Sequence, residues 1–203
     1  MRRFAGDRLL VATHNSGKLE EIADLLDDHA IRVIGAAALG LDEPDETGAD
    51  FAANARIKAH AASRATGLPA LADDSGIEID ALDGAPGVRT ADWADTPCGR
   101  DFVHAMTRTY DALLGSGVAQ PWTARFCCTF VLAWPDGHDE SFEGCLNGRI
   151  TWPMRGGEGH GYDPIFQPEG FGITFGQMSR REKNRISHRA DAFRKLTAAF
   201  QDG

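Results

Sequence analysis

The sequence predicts a fold in which strands and helices alternate along one chain, and three observations predict it. Short apolar runs such as Arg8 to Ala12 have the length of a buried strand. They lead into stretches with apolar residues at helical spacing, as at Leu19, Ile22, Ala23, Leu25 and Leu26. Ala124 to Trp134 and Glu140 to Leu146, joined by Pro135-Asp136-Gly137-His138, read as a β-hairpin. With 203 residues, 42% of them apolar and 25% charged, the chain suits one domain, or two lobes around one core, and is too apolar for disorder.

Composition also excludes partners. The net charge of −9 and the lack of a long basic run argue against a nucleic-acid polymer. A single polyphosphate stays possible where a metal ion and a few placed cations offset the repulsion. Cys98, Cys127, Cys128 and Cys145 form no CxxC, so neither a zinc site nor a disulfide framework is expected; they read as small buried hydrophobes in a reducing compartment. No apolar run is long enough to span a bilayer, and Met1-Arg2-Arg3 leads into Phe4-Ala5-Gly6-Asp7 where a signal peptide would carry its apolar core. A cytoplasmic protein is expected.

In chain order, Arg8 to Ala12 is the first strand, and the helix after it starts near Ser16. Between them lie Thr13, His14, Asn15, Ser16, Gly17 and Lys18. A strand, a loop of small residues and a helix N-terminus together make an anion site, because free backbone N–H groups and the positive dipole end converge there. Lys18 is a cation in the first turn, where the dipole disfavours it and where simple capping does not call for it. The glycine spacing of a Walker A loop is missing, so a P-loop is excluded. An Asn/Ser-capped helix without a ligand accounts for the same residues.

Ile31 to Ile34 reads as the second strand and Leu41 to Gly48 as an acidic loop. Phe51 to Ala65 predicts a long alanine-rich helix with Asn54 and Lys58 on one face, four residues apart. Glu46 just before it is a candidate metal ligand; the commoner roles are a solvated loop acid for Glu46 and a surface lysine for Lys58. Leu71 to Gly87 is the segment around which the rest is organised. Its apolar approach delivers Asp73 and Asp74, then Ser75 and Gly76, and Ile77 to Asp80 alternates apolar with acidic as a half-buried strand does. The pattern places the two carboxylates at a strand end, a good site for a hard divalent cation or a positioned water. An Asp-Ser-Gly turn that bonds only its own backbone fits as well.

Arg89 to Arg100 is irregular, and Phe102, Val103, Met106, Tyr110, Leu113 and Leu114 form the core-facing stripe of a helix. After the hairpin, Gly144 to Asp163 is a glycine-dense stretch, suited to close approach to a ligand or to a plain loop. It ends in His160, Gly161, Tyr162 and Asp163 at a strand start. Thr174 to Arg189 opens the last helix, whose apolar face is Ala192, Phe193, Leu196 and Phe200. Lys183, His188 and Arg189 at that opening suit either solvent or an anionic or carbonyl-rich ligand, since helix starts normally favour acids.

The ordered set THNSGK, ETG with NARIKA downstream, LADDSGIEIDALDGAPGV, GYDPIF, EKN and SHR resembles the inosine/xanthosine triphosphate pyrophosphatase family from about Leu9 to Leu196. The resemblance implies an α/β fold with a long, mixed, twisted β-sheet and flanking helices, with two lobes around a nucleotide cleft, and 1–203 acting as a single domain. It implies dependence on magnesium (Mg²⁺), a homodimer, and hydrolysis of inosine, xanthosine and the corresponding deoxynucleoside triphosphates to monophosphate and pyrophosphate. Position by position, Thr13, His14, Asn15, Ser16, Gly17 and Lys18 match the triphosphate loop. Glu46 and Asp74 match the metal-binding acids, with Asp73 assisting, and Asp74 also matches the catalytic base. Lys58 matches a lysine near the phosphates. Ser75, His160, Gly161, Tyr162, Asp163, Lys183, His188 and Arg189 match nucleotide contacts. Two positions depart from the pattern: His14 replaces a common glycine, and His160 replaces a phenylalanine associated with stacking on the base. A pyrophosphatase of another base preference and a nucleotide binder without turnover are the alternatives.

Overall fold

The computed structural model describes residues 2–4, 6–26 and 31–197. The chain runs through β1 (Arg8–Val11), α1 (Ser16–Leu26), β2 (Arg32–Gly35), α2 (Phe51–Thr66) and β3 (Ala70–Ile79). A two-stranded ribbon, β4 (Asp95–Thr96) and β5 (Gly99–Arg100), precedes α3 (Phe102–Gly115). The long strands β6 (Trp122–Ala133) and β7 (Asp139–Ile150) follow, then β8 (Phe166–Pro168), α4 (Arg180–Ile186) and α5 (His188–Thr197). Six strands form one mixed sheet in the order β2-β1-β3-β6-β7-β8. β1 pairs in parallel with β2 and β3, and β8 antiparallel with β7. This is the expected α/β class with its mixed sheet.

The chain divides into two units, one made of residues to 74, 128–144 and from 189, the other of 75–127 and 145–188. In the first unit the period of two sorts β3 by face. Leu71 joins Leu9, Val11, Cys128 and Phe130 under Ile22 and Leu26 of α1 and Phe193 and Leu196 of α5. Ala70 and Ala72 turn the other way, toward Ala55, Ala59 and Ala62 of α2. Small residues on both sides let α2 lie close to the sheet. That helix is fixed at its ends: the Asp50 side chain accepts from the Ala53 N–H at 2.7 Å, and Gly67 closes it at φ 69°.

In the second unit Ile77 and Ile79 of β3, Phe126 of β6 and Met106 and Leu113 of α3 pack with Tyr162, Phe166 and Phe175. The alternate positions Thr123, Arg125, Cys145, Asn147 and Arg149 make an exposed polar face. The segment 151–165 is held tightly. Gly156 has φ 81°, and a Cβ there would lie 1.8 Å from the Gly176 carbonyl oxygen. Gly156→Ala is expected to destabilise the fold by about 2 kcal/mol or more, lowering Tm by roughly 4–8 °C. Thermal unfolding followed by circular dichroism checks this, and an unchanged Tm would mean that the segment shifts freely.

Five expectations change. Val103 and Leu114, expected in the core-facing stripe of α3, are exposed. Asp73 and Asp74 lie inside a ten-residue strand, away from its end, because Ser75 and Gly76 continue the extended backbone. The hairpin arms are longer than expected and absorb Gly148; a Cβ there would meet the Gln167 carbonyl oxygen of β8 at 2.5 Å. The last helix is two helices, since Ser187 takes an extended ψ of 157° between α4 and α5. Cys98 and Cys145 are exposed, whereas Cys127 and Cys128 are buried as expected. The Phe200 assignment lies outside the described residues.

Candidate active site

The first unit gathers the acidic candidates around two cations. The turn from β1 into α1 is set by its own side chains: Thr13 Oγ1 accepts from the Asn15 N–H at 3.2 Å, and Asn15 Oδ1 from the Lys18 N–H at 3.1 Å. Asn15 thereby caps α1, as a capped helix without a ligand also predicts. The exposed His14 ring donates from Nε2 to the Leu41 carbonyl at 2.7 Å, which ties this loop to the acidic loop that carries Glu46. Ser16 and Gly17 form the first turn of α1.

Asp73 and Asp74 are adjacent on β3, so the pleat sends them to opposite faces. Asp73 points toward α1 and α5. Its Oδ2 accepts from Arg189 Nη2 at 3.0 Å and lies 3.2 Å from Lys18 Nζ, while Arg189 Nη1 donates to Glu21. Burial alone would raise the Asp73 carboxyl, but Lys18 and Arg189 hold it well below the usual carboxylate range. Lys18 thus has a partner that offsets its unfavourable place in the first turn of α1.

Asp74 points toward α2. Its Oδ2 accepts from Asn54 Nδ2 at 3.1 Å, and Asn54 Oδ1 in turn accepts from the Gly48 N–H at 2.7 Å. Asn54 therefore clamps the acidic loop and orients Asp74 with one amide. Lys58 Nζ donates to Glu46 Oε1 at 2.5 Å and lies 3.7 Å from Asp74 Oδ1. Lys58 and Asp74 are buried and Glu46 reaches in from the exposed loop, so Lys58 is not the solvated surface lysine that composition alone favours. Burial pushes the Asp74 carboxyl up, with Lys58 and Lys18 opposing and Glu46 adding to it. Burial lowers the Lys58 ammonium, but Asp74, Asp73 and Glu46 outweigh it and raise it.

These residues fit a hard divalent cation. Glu46 and Asp74 supply carboxylate oxygens against one ammonium. Magnesium binds through one or two carboxylates when phosphate and water complete its shell.

The second unit holds the other candidates. Asp163 Oδ2 accepts from the His160 N–H at 2.9 Å and from Lys183 Nζ at 2.6 Å, a buried charge pair at the foot of the His160–Gly161 turn. Lys183 Nζ also lies 5.5 Å from the Phe175 ring centroid. Gly161 has φ 67°, and the His160 side chain is exposed. Tyr162 is 1% exposed, donates to the Thr90 carbonyl at 3.3 Å and packs edge-on to Phe102, so it braces the turn from below. His188 stacks on Phe126 at 4.9 Å and 13°. Ser75 is the first residue of this unit and is half-buried.

Three contributors escape a reading of the sequence. Glu21 stands three residues after Lys18 on the buried side of α1, and a buried acid beside Ile22 was the signal for it. Phe126 reads as part of an apolar strand and Phe175 lies in the stretch that opens the last helix, and nothing in one sequence marks them as neighbours of His188 and Lys183.

The model of the Ham1 family matches residues 9–199. A protein of Ruegeria pomeroyi named dITP/XTP pyrophosphatase is 63% identical over 195 residues, 96% of each chain. One of the same name from Rhodospirillum centenum is 53% identical over 197 residues, covering 97% of this chain and 96% of that one. Among solved structures, a HAM1 protein from Coxiella burnetii superposes with a TM-score of 0.87 at 35% identity, over 94% of this chain and 96% of that one. The match covers nearly the whole length, from β1 to the end of α5, and takes in both groups of candidate residues. The chain belongs to the Ham1 family.

Proposed function

We propose that this protein hydrolyses non-canonical purine nucleoside triphosphates, those of inosine and xanthosine and their deoxy forms, to the monophosphate and pyrophosphate. The observation that carries the reading is the convergence of Glu46 and Asp74 on the buried Lys58, in the same unit as the Thr13–Lys18 loop. A cluster that pairs oriented carboxylates with lysines beside a helix N-terminus suits hydrolysis of a phosphoanhydride. The family membership and the names of its relatives support the substrate class.

In this reading Asp74, aimed by Asn54 and kept a stronger base than an exposed aspartate by burial, orients and deprotonates the water that attacks the α-phosphorus. Lys18, Lys58 and the backbone amides of Asn15 to Gly17 stabilise charge on the departing pyrophosphate. Bound magnesium, held by Glu46 and Asp74, supplies charge neutralisation of the phosphate oxygens. The exposed His160 ring offers the stacking surface for the base, held in place by Asp163 and Lys183. Donors near His188 favour a 6-carbonyl over the 6-amino group of adenine, which would leave donor facing donor. The two units then act as one domain on one substrate. A homodimer belongs to the same reading on the strength of the family resemblance, and a cytoplasmic location on that of the composition.

Pyrophosphate release from ITP, XTP, GTP and ATP, with magnesium and with excess chelator, tests the proposal. Fast release from ITP and XTP is expected, about a hundred-fold or more above ATP, and loss of all release on chelation. No release from any of the four would overturn it in favour of a nucleotide binder, and a preference for ATP would overturn the base assignment.

A further inference from the structure

The hairpin of β6 and β7 is closed by the Trp134 N–H donating to the His138 carbonyl at 2.9 Å. Cys127 and Cys145 lie at equal distances along the two strands from that closure, so the antiparallel register sets them opposite each other. Their sulfurs are 3.1 Å apart. A directly opposite antiparallel pair has its Cα atoms about 4.5–5.5 Å apart, inside the range that a disulfide spans. We propose that Cys127 and Cys145 are an oxidant-responsive dithiol that closes to an intramolecular disulfide across β6 and β7.

The surroundings give the pair an order of reaction. Cys145 is exposed, on the polar face that also carries Thr123, Arg125, Asn147 and Arg149. Those four residues line an open groove of about 610 Å³ on the same face. Cys127 is buried beside it, within 3.8 Å of Glu78 Oε2, and Glu78 is itself fixed by Arg125 Nε at 2.6 Å. Access therefore makes Cys145 the thiol that meets the oxidant and Cys127 the one that resolves. The hydrogen bond shared with Cys145 and burial both raise the Cys127 thiol, in keeping with a group that waits as a thiol. Cys128 turns to the opposite face, and burial pushes its thiol up to about 12, so it stands outside this chemistry.

With hydrogen peroxide as the oxidant, the Cys145 sulfur attacks one peroxide oxygen and the O–O bond breaks. The departing hydroxide takes the Cys145 proton and leaves as water, and Cys145 becomes a sulfenic acid. The Cys127 sulfur then attacks the Cys145 sulfur; the S–O bond breaks and the hydroxide leaves as a second water with the Cys127 proton, which Glu78 Oε2 accepts from 3.8 Å on the way. Two thiols lose two electrons in all and one peroxide gains them. The bridge spares Cys145 the irreversible sulfinic and sulfonic steps, and a dithiol reductant reopens it.

The test uses the full chain carrying Cys98→Ser, which removes the other exposed thiol. The reduced protein is treated with hydrogen peroxide, and its intact mass and free thiols are measured before and after dithiothreitol. The expected result is a loss of about 2 Da and of two thiols, in a monomeric chain, reversed by the reductant. Adding Cys127→Ser should replace this by a gain of about 16 or 32 Da, the sulfenic and sulfinic acids of Cys145. Adding Cys145→Ser should leave the mass unchanged, while adding Cys128→Ala should leave the 2 Da loss intact. Oxygen uptake without the 2 Da loss in the Cys98→Ser protein would overturn the proposal. So would a 2 Da loss that survives Cys127→Ser, or a disulfide that joins two chains.

Discussion

Asp74→Asn is expected to lower pyrophosphate release from ITP by about 10²- to 10⁴-fold, the range that removal of a general base commands. The fall should appear in kcat more than in KM, because the Thr13–Lys18 loop and the His160 side keep their own contacts with the substrate. An amide at this position is close in shape to the carboxylate and still meets Asn54 Nδ2 through its oxygen, 3.1 Å away in the parent chain. The lost charge is one of two acids against Lys58, and Glu46 remains bonded to that ammonium. Stability should therefore change little, and Tm measured on the same sample separates a chemical defect from unfolding. Near-full turnover in a folded Asp74→Asn protein would remove Asp74 from the chemistry and return the role of base to another residue.

Arg189→Met should produce the largest loss of stability. Arg189 is 4% exposed and gives separate nitrogens to Glu21 and Asp73, so its removal strands two buried carboxylates. Breaking a buried pair by deleting one partner costs about 3–5 kcal/mol, which in a chain of this size lowers Tm by roughly 6–20 °C. Lys18 still faces Asp73, which places the expected value toward the lower end. The double variant Arg189→Met, Asp73→Asn should recover part of the loss, because it removes one of the two buried carboxylates that Arg189 had offset. The effect also has a pH signature. Pairing holds the Asp73 carboxyl below its ordinary value of about 4, so its stabilisation is complete above that value and is lost as pH falls through the lowered one. The gap between parent and Arg189→Met should accordingly narrow in acid. A loss under about 1 kcal/mol near neutral pH, by urea unfolding, would mean that the Arg189 network is a surface-like pair of little worth.

Much of this arrangement is legible in one sequence because local rules fix it. The turn Thr13–Lys18 is written by a strand, an Asn cap and a helical period that follow one another directly, and the structure starts α1 at Ser16 as they require. Asn54 and Lys58 share a face of α2 by spacing alone, and the structure brings both to Asp74. Ordered motifs spread over the whole length carry the family.

Only the tertiary structure decided the rest. Ser75 and Gly76 read locally as a turn, yet neighbouring strands keep β3 extended through them, so Asp73 and Asp74 part to opposite faces. One carboxyl is tied to Arg189 and Lys18, while its neighbour shares Lys58 with Glu46. Glu21 and Arg189 lie far apart along the chain and meet because α1 and α5 cover the same sheet face. Cys127 and Cys145 look like two unrelated small hydrophobes until the register of β6 and β7 sets sulfur against sulfur. Period, capping and spacing belong to consecutive residues and can be read from them; the partner of a buried charge or thiol is set by strand register and packing, which join residues that the chain keeps apart.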